Sequence, residues 1–309
     1  MQGKALDVAA LGEAMVEFNQ TNAGQPQYLQ GFGGDTSNAA IAAARAGARS
    51  AYLTRVGADT FGQMLLQLWA REGVNTSGVT TSGASHTGIY FVTHGAQGHD
   101  FSYRRADSAA SRMTPQWLAG APSDVIRASR FLHVSAISMA ISPGACDTVF
   151  EAMGLARESG TQVAFDSNLR LKLWPLARAQ ACIRQAIGLC DIFLPSLEDM
   201  VALTGLREPH RIVEWSHAQG ARTVVLKLGP DGALVSNGQQ REHLQARNVT
   251  VRDATGAGDC FCGNLLARLA QGDSLLRATH YANTAASLSV QGFGAVQPLP
   301  RSSSVFAAL

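Results

Sequence analysis

Charge is scarce in this chain. Only 16% of its 309 residues are Asp, Glu, Lys or Arg, and 25 basic against 23 acidic side chains leave a net charge of +2. That near-neutrality excludes a protein that grips nucleic acid or a membrane surface through a broad basic face. Cysteine is also sparse. Cys146, Cys182, Cys190, Cys260 and Cys262 are odd in number and lack the CxxC spacing of a zinc site. They read as free thiols in a reducing compartment, which makes the cytoplasm the expected location. Long apolar runs are missing too. The best candidate, residues 131–142, contains His133 and several serines and falls short of the roughly 18 residues of a membrane span. The opening residues have no basic stretch before an apolar one, and Asp7, Glu13 and Glu17 interrupt them, so no signal peptide is expected. No repeat or low-complexity tract occurs. What is abundant is hydrophobic residues, 46%, and glycine, 31 residues, the composition of a compact folded protein.

Short runs rich in Val, Ile, Leu and Phe alternate with longer amphipathic stretches. Residues 6–11, 50–56, 130–135, 162–166, 191–194 and 223–228 read as buried strands. Ser142-Pro143 offers an N-cap and a first-turn proline, and Gly160 a stop, for a helix of about four turns. The alternation predicts an α/β fold, a mostly parallel sheet with helices on both faces. Two segments, about 13–33 and about 84–107, show two-residue alternation instead, the second folding back through Gly95-Ala-Gln-Gly98. They predict a small β appendage built from two excursions out of one domain spanning 1–309, though ordinary surface hairpins would give the same pattern.

Two glycine clusters stand out. Arg252-Asp-Ala-Thr-Gly256-Ala257-Gly258-Asp259-Cys260-Phe261 follows a β-like run at 248–251 and opens a helical pattern. Glycines at a loop-to-helix junction turn several N–H groups toward one point, and the helix dipole adds positive potential there. Such an anion hole favours Asp259 as a carboxylate able to take a proton from a hydroxyl beside a bound phosphate; a turn capped by Asp259 is the plainer alternative. Neither GxxxxGK[ST] nor GxGxxG is present, since Phe261 fills the third glycine position. The second cluster, Gly31-Phe-Gly-Gly34-Asp35-Thr-Ser-Asn38, precedes a helix at 39–46 ended by Gly47. It suits a polyol ligand, or else Asp35 or Thr36 caps the helix and Asn38 faces solvent.

Taken together, GGDTSN near the start and DATGAGDCF near the end resemble the two signature regions of the ribokinase-like (PfkB) sugar kinases, and the resemblance extends over nearly the whole chain. Within that family the chain is most similar to the 2-keto-3-deoxygluconate kinases, through Gly12-Glu13, Thr87-Gly-Ile-Tyr90, Tyr103-Arg-Arg105, Leu132-His-Val-Ser135 and Phe165-Asp-Ser-Asn168-Leu-Arg170. The resemblance implies a Rossmann-like domain with a β-sheet lid, ATP and Mg2+ as cofactors with a monovalent cation left open, and a sugar-acid substrate. It assigns Gly34, Asp35, Asn38, Tyr90, Tyr103, Arg105 and Arg170 to substrate binding, Arg105 and Arg170 being candidates for an acid group because guanidinium matches carboxylate. It assigns Asn168, Ser196, Lys227, Gly229, Gly232 and Asn283 to the nucleotide, and Asp259 with Gly256, Ala257 and Gly258 to catalysis.

Two departures from the family pattern appear. Ser196 stands where relatives have asparagine in an Asn-x-x-Glu motif, with Asp199 as the acid that could meet magnesium through water; the alternative is a helix N-terminal acid. Gln291-Gly292-Phe293 stands where some relatives have Arg-Gly-Asp, so a substrate-binding acid is absent. Other expectations are plainer. His94 and His99 read as solvated, Cys260-Phe-Cys262 as helix packing with Cys260 somewhat acidic at a helix start, and Trp69, Trp174 and Trp215 as packing residues. Exposed lid strands predict a homodimer or higher assembly. Competing readings are a fructokinase, a 5-dehydro-2-deoxygluconokinase, a nucleoside kinase, or a catalytically silent sugar- or nucleotide-binding protein.

Overall fold

The computed structural model describes residues 3–95 and 98–309; Ala96, Gln97 and the side chain of His99 lie outside the described residues. In chain order the strands are β1 (Leu6–Leu11), β2 (Met15–Gln20), β3 (Tyr28–Gly33), β4 (Ser50–Gly57), β5 (Val79–Ser82), β6 (Gly88–Gly95), β7 (Gly98–Arg104), β8 (Ser129–Ser135), β9 (Gln162–Asp166), β10 (Ile192–Leu194), β11 (Thr223–Lys227), β12 (Ala233–Ser236) and β13 (Arg241–Leu244). Nine of them form one sheet in the order β13-β12-β11-β10-β9-β8-β1-β4-β5. It is parallel from β5 to β11 and antiparallel only at β12 and β13.

The apolar runs are explained by burial on both faces. Along β1, Val8 and Ala10 join one hydrophobic core while Ala9 and Leu11 join the other, as the two-residue period of a strand requires. The helix Pro143–Glu158 starts as expected: Ser142 Oγ accepts the Ala145 N–H at 3.0 Å, and Gly160 follows with φ 69°. Trp69 and Trp174 are core residues and Trp215 packs against the core.

The two excursions form a separate sheet, order β3-β2-β6-β7. Here β2 runs antiparallel to β3 and parallel to β6, and β6 runs antiparallel to β7. Surface hairpins are therefore ruled out for these segments. One strand expectation fails. Residues 248–251 are irregular and Val251 is exposed, because the chain beyond them is tied by the Arg252 and Asp253 amides to the carbonyl of Val290 at a helix end rather than to a sheet edge.

The contact that positions the site is between the helices Asp35–Arg45 and Ala257–Ala270. Gly263 lies against the first helix so closely that a Cβ there would stand 2.8 Å from the Cβ of Ala42. Small residues on both sides let the axes approach and bring the two helix N-termini to one place.

Candidate functional site

The carboxyl ends of the parallel strands supply most of the site, as is general for open α/β sheets. Gly12 and Glu13 follow β1, Asp166 ends β9, Ser196 follows β10 and Lys227 ends β11. Above them, Asn38 Nδ2 donates to Asp259 Oδ2 at 2.9 Å. Asn168 Nδ2 donates to Asp35 Oδ2 at 3.1 Å. Thus the two glycine clusters and the Asp166–Arg170 segment converge.

Several local readings are corrected by this arrangement. Neither Asp35 nor Thr36 caps the first helix, which begins after Gly34 without a side-chain cap. Asn38 is buried rather than facing solvent. Asp259 does not cap its own helix, whose N-cap is Gly256 in the left-handed region. Buried Asp35 Oδ1 and Asn38 Oδ1 have no hydrogen-bond partner among the described residues. Polar oxygens left so are costly unless a ligand satisfies them.

The electrostatics also differ from expectation. Asp259 keeps some access to solvent, yet desolvation pushes its pKa up to about 7; Asp35 and Asp166 add to the rise, while Asn38 and Lys227 oppose it. Loss of hydration by the carboxylate outweighs the field of the helix end. Asp35 is likewise raised by burial. Cys260 is not acidic, since burial pushes its thiol up to about 12. Of the three amides expected to steady an anion, that of Ala257 is committed to the carbonyl of Ala254 at 3.1 Å. The amides of Gly258 and Asp259 find no backbone acceptor among the described residues.

The lid side brings Tyr90 and Tyr103 together, directly paired across β6 and β7 with ring centroids 5.6 Å apart. Tyr90 donates to buried Glu17. Gly34, with φ 115°, joins β3 to the helix Asp35–Arg45, and a Cβ there would stand 2.7 Å from the Ala14 Cα. Arg105 is not free: its Nε donates to Glu13 Oε2 at 2.8 Å, and Ser108 holds the other oxygen of Glu13. Arg170 is the more available cation, its side chain 54% exposed and only 3.9 Å from Asp199.

On the expected nucleotide side, Gly229 and Gly232 shape the turn between β11 and β12, where the Leu228 amide donates to the Gly232 carbonyl at 2.8 Å. Asn283 is buried, and its amide donates to the Leu244 carbonyl at 2.9 Å, fastening β13 to its helix. Lys227 points away from the turn and into an ion pair with Asp166. Ser196 caps the helix Leu197–Thr204 through the Asp199 amide. Asp199 accepts from Ser167 Oγ at 2.8 Å, and burial raises its pKa. Among the described residues no three His, Cys, Asp or Glu side chains gather as a metal cage; Asp199 lies in the first turn of the helix Leu197–Thr204. Phe293 lies exposed in the loop after the helix Leu275–Ser289. His94 is half-buried and bonded to Asn19 Oδ1 at 2.8 Å rather than solvated.

Glu13, Glu17 and Asp166 were not marked as site residues by their sequence positions alone. The usable signal was a single acid inside or just after an apolar strand, a place where an unpaired charge is rarely tolerated.

Residues 5–302 match the model of the pfkB family carbohydrate kinases. The chain is 32% identical to the 2-dehydro-3-deoxygluconokinase of Bacillus subtilis (strain 168), covering 96% of this chain and 93% of that one. It is 33% identical to the protein of the same name from Thermoproteus tenax, covering 96% and 92%. The crystal structure of fructokinase from Vibrio cholerae O395 in fructose, ADP and calcium ion bound form superposes with a TM-score of 0.87 at 29% identity, covering 98% and 99%. With its two-sheet architecture and the convergence of both glycine clusters, the chain belongs to the pfkB family of carbohydrate kinases, phosphotransferases that act on sugars.

Proposed function

We propose that the protein transfers the γ-phosphoryl group of ATP to a primary hydroxyl of 2-keto-3-deoxygluconate. The observation that carries this reading is the meeting of Asp259, Asn38 and the unengaged amides of Gly258 and Asp259 at two helix N-termini. Asp259 takes the hydroxyl proton, the freed oxygen attacks the γ-phosphorus in line, and ADP leaves. The two amides offset charge on the transferring group, in keeping with a reaction governed by position and electrostatics. Asp35 and Asn38 present their unpartnered oxygens to substrate hydroxyls, and Tyr90 and Tyr103 close over them. The nucleotide reading is supported by the ADP carried by the Vibrio fructokinase. A divalent ion would be held chiefly by the nucleotide phosphates, since the described residues build no cage for one.

The acid substrate is supported by the names of the two relatives and by the exposed guanidinium of Arg170. Fructose is the second reading, favoured by one observation: Glu13 already neutralises Arg105, the other guanidinium offered to an acid. An ADP-release assay with magnesium ATP, in sodium and in potassium buffers, against keto-deoxygluconate, fructose, ribose, adenosine and no acceptor decides. Acceleration by keto-deoxygluconate is expected; acceleration by fructose alone transfers the assignment, and no acceleration by any acceptor removes it. Exposed Leu29, Phe101 and Tyr103 on the small sheet further support pairing of two copies.

A further inference from the structure

We propose that Lys227 is a positioning residue for phosphoryl transfer, held by Asp166 beneath the first turn of the helix Ala257–Ala270, where its fixed positive charge sets the potential of the phosphoryl hole. This rests on the kinase reading above and moves Lys227 from the nucleotide turn to the reacting centre.

The geometry is specific. Lys227 and Asp166 end β11 and β9, which are not neighbours; the three-residue β10 lies between them. Lys227 Nζ reaches across to both oxygens of Asp166, at 2.8 and 2.9 Å. A further contact runs to Cys262 Sγ at 3.6 Å, and that thiol also bonds Asp166 Oδ2 at 3.4 Å. The pair is thereby pinned to the second turn of the helix. At Gly258 the nearest atom to a side chain placed there would be Lys227 Nζ, 3.6 Å away. The ammonium therefore lies beside Gly258, whose amide has no backbone acceptor among the described residues. Glycine at 258 leaves nothing between the two.

Burial alone would drive a lysine toward its neutral form; the facing Asp166 more than reverses this and keeps the charge permanent. Around Asp259 the charged and titratable neighbours are Asp35, Asp166, Lys227, Tyr90, Cys260 and Cys262. His133 on β8 faces Asp35 and Asp166, and burial keeps its ring toward the neutral form. Lys227 is the one cation in that set. A merely structural clasp between strand ends is the competing account, and buried ion pairs are poor stabilisers compared with apolar pairs.

The test uses the full chain with Lys227→Met, Lys227→Arg and the double variant Asp166→Asn/Lys227→Met. The readouts are kcat and KM for ATP, the Tm, and carbon-13 titration of the Asp259 carboxyl, which needs no acceptor. We expect Lys227→Met to lower kcat about 10²-fold, the range for losing one well-placed donor, with KM for ATP little changed and the Asp259 titration moved to higher pH. Lys227→Arg recovers part of kcat. The double variant, free of an unpaired buried acid, regains Tm but not kcat. Recovery of kcat in the double variant overturns the proposal, as does a rise in KM alone. An unmoved Asp259 titration in Lys227→Met overturns it whatever the acceptor. Wild-type protein that phosphorylates no acceptor removes the kinase reading instead, and the two failures are thereby told apart.

Discussion

The two sheets treat their charged and aromatic residues in opposite ways. Above the carboxyl edge of the nine-stranded sheet three acids are paired: Asp166 with Lys227, Asp259 with Asn38, and Asp35, through one oxygen, with Asn168. The four-stranded sheet carries a row of aromatics, Phe101 stacked on Tyr103 and Tyr103 on Tyr90, and leaves Leu29 63% and Tyr103 45% exposed. The large sheet has its core on both faces and cannot shift a side chain without disturbing two layers. The small sheet can change its exposed face at little cost. In the proposed reading the base and the groups that meet substrate hydroxyls, Asp35 and Asn38, lie with the first, and the second adds Tyr90, Tyr103 and Arg105.

The hardest blow to this division is Asp259→Asn. Turnover is expected to fall at least about a hundredfold, the contribution of a general base, and near-normal turnover in the ADP-release assay would end the proposed role. The same variant should be more stable than wild type. Because the folded pKa of about 7 lies above the ordinary 3.8, the native state holds this proton over a range where the unfolded chain has released it. The stabilising contribution of Asp259 is thus full below 3.8 and is lost as pH rises to about 7. Thermal melts at pH 5 and pH 8 should show a gain in Tm for Asp259→Asn that is larger at pH 8. Wild-type kcat/KM should fall as pH drops below about 7, where the base becomes protonated.

Gly263→Leu comes next. It wedges apart the helices that carry Asn38 and Asp259, so activity and Tm should both fall, with overpacking costing about 1–3 kcal/mol. Undiminished activity would mean that the close approach does not set the site.

At the two arginines, Arg170 beyond β9 and Arg105 at the end of the lid strand β7, the effects should be smaller. Arg170→Gln is expected to raise KM for an acid acceptor with little change in Tm. Arg105→Gln should lower Tm as well, because it strands buried Glu13. Equal effects of the two on KM alone would show that Glu13 does not hold Arg105 in solution. Smallest of all, Leu29→Lys should leave turnover intact and shift the protein toward monomer in sedimentation velocity; an unchanged sedimentation coefficient would exclude this face from assembly.

Much of this was legible in the sequence where pattern and burial coincide. Residues 6–11 and 162–166 read as strands and are strands, since runs buried on both faces carry an unmistakable signal. The lid was equally legible, because two-residue alternation cannot be mistaken for a helix over the eight and seven residues of β6 and β7. Residues 248–251 misled because alternation there reflects a loop pinned to Val290. Family position marked Asn38 and Asp259, whereas local chemistry favoured a solvent-facing Asn38. The raised pKa of Asp259 was hidden, since it depends first on burial in the folded chain and then on Asp35, 224 positions away in the sequence. The partner of Arg105, Glu13, was not legible because it lies in another strand connection altogether.

The bond between Asn38 and Asp259 joins residues 221 positions apart. A chain still emerging during synthesis, or one cut before residue 257, holds Asn38 but neither Asp259, the proposed base, nor the amides beside it. Phosphoryl transfer by this protein is therefore a report on complete folding. No partly assembled species that lacks the docked helix Ala257–Ala270 can score in an activity assay, so the fraction of active molecules in a preparation counts finished ones. For the same reason, a chain split in the exposed stretch near residue 240 should recover activity only when both fragments are supplied together.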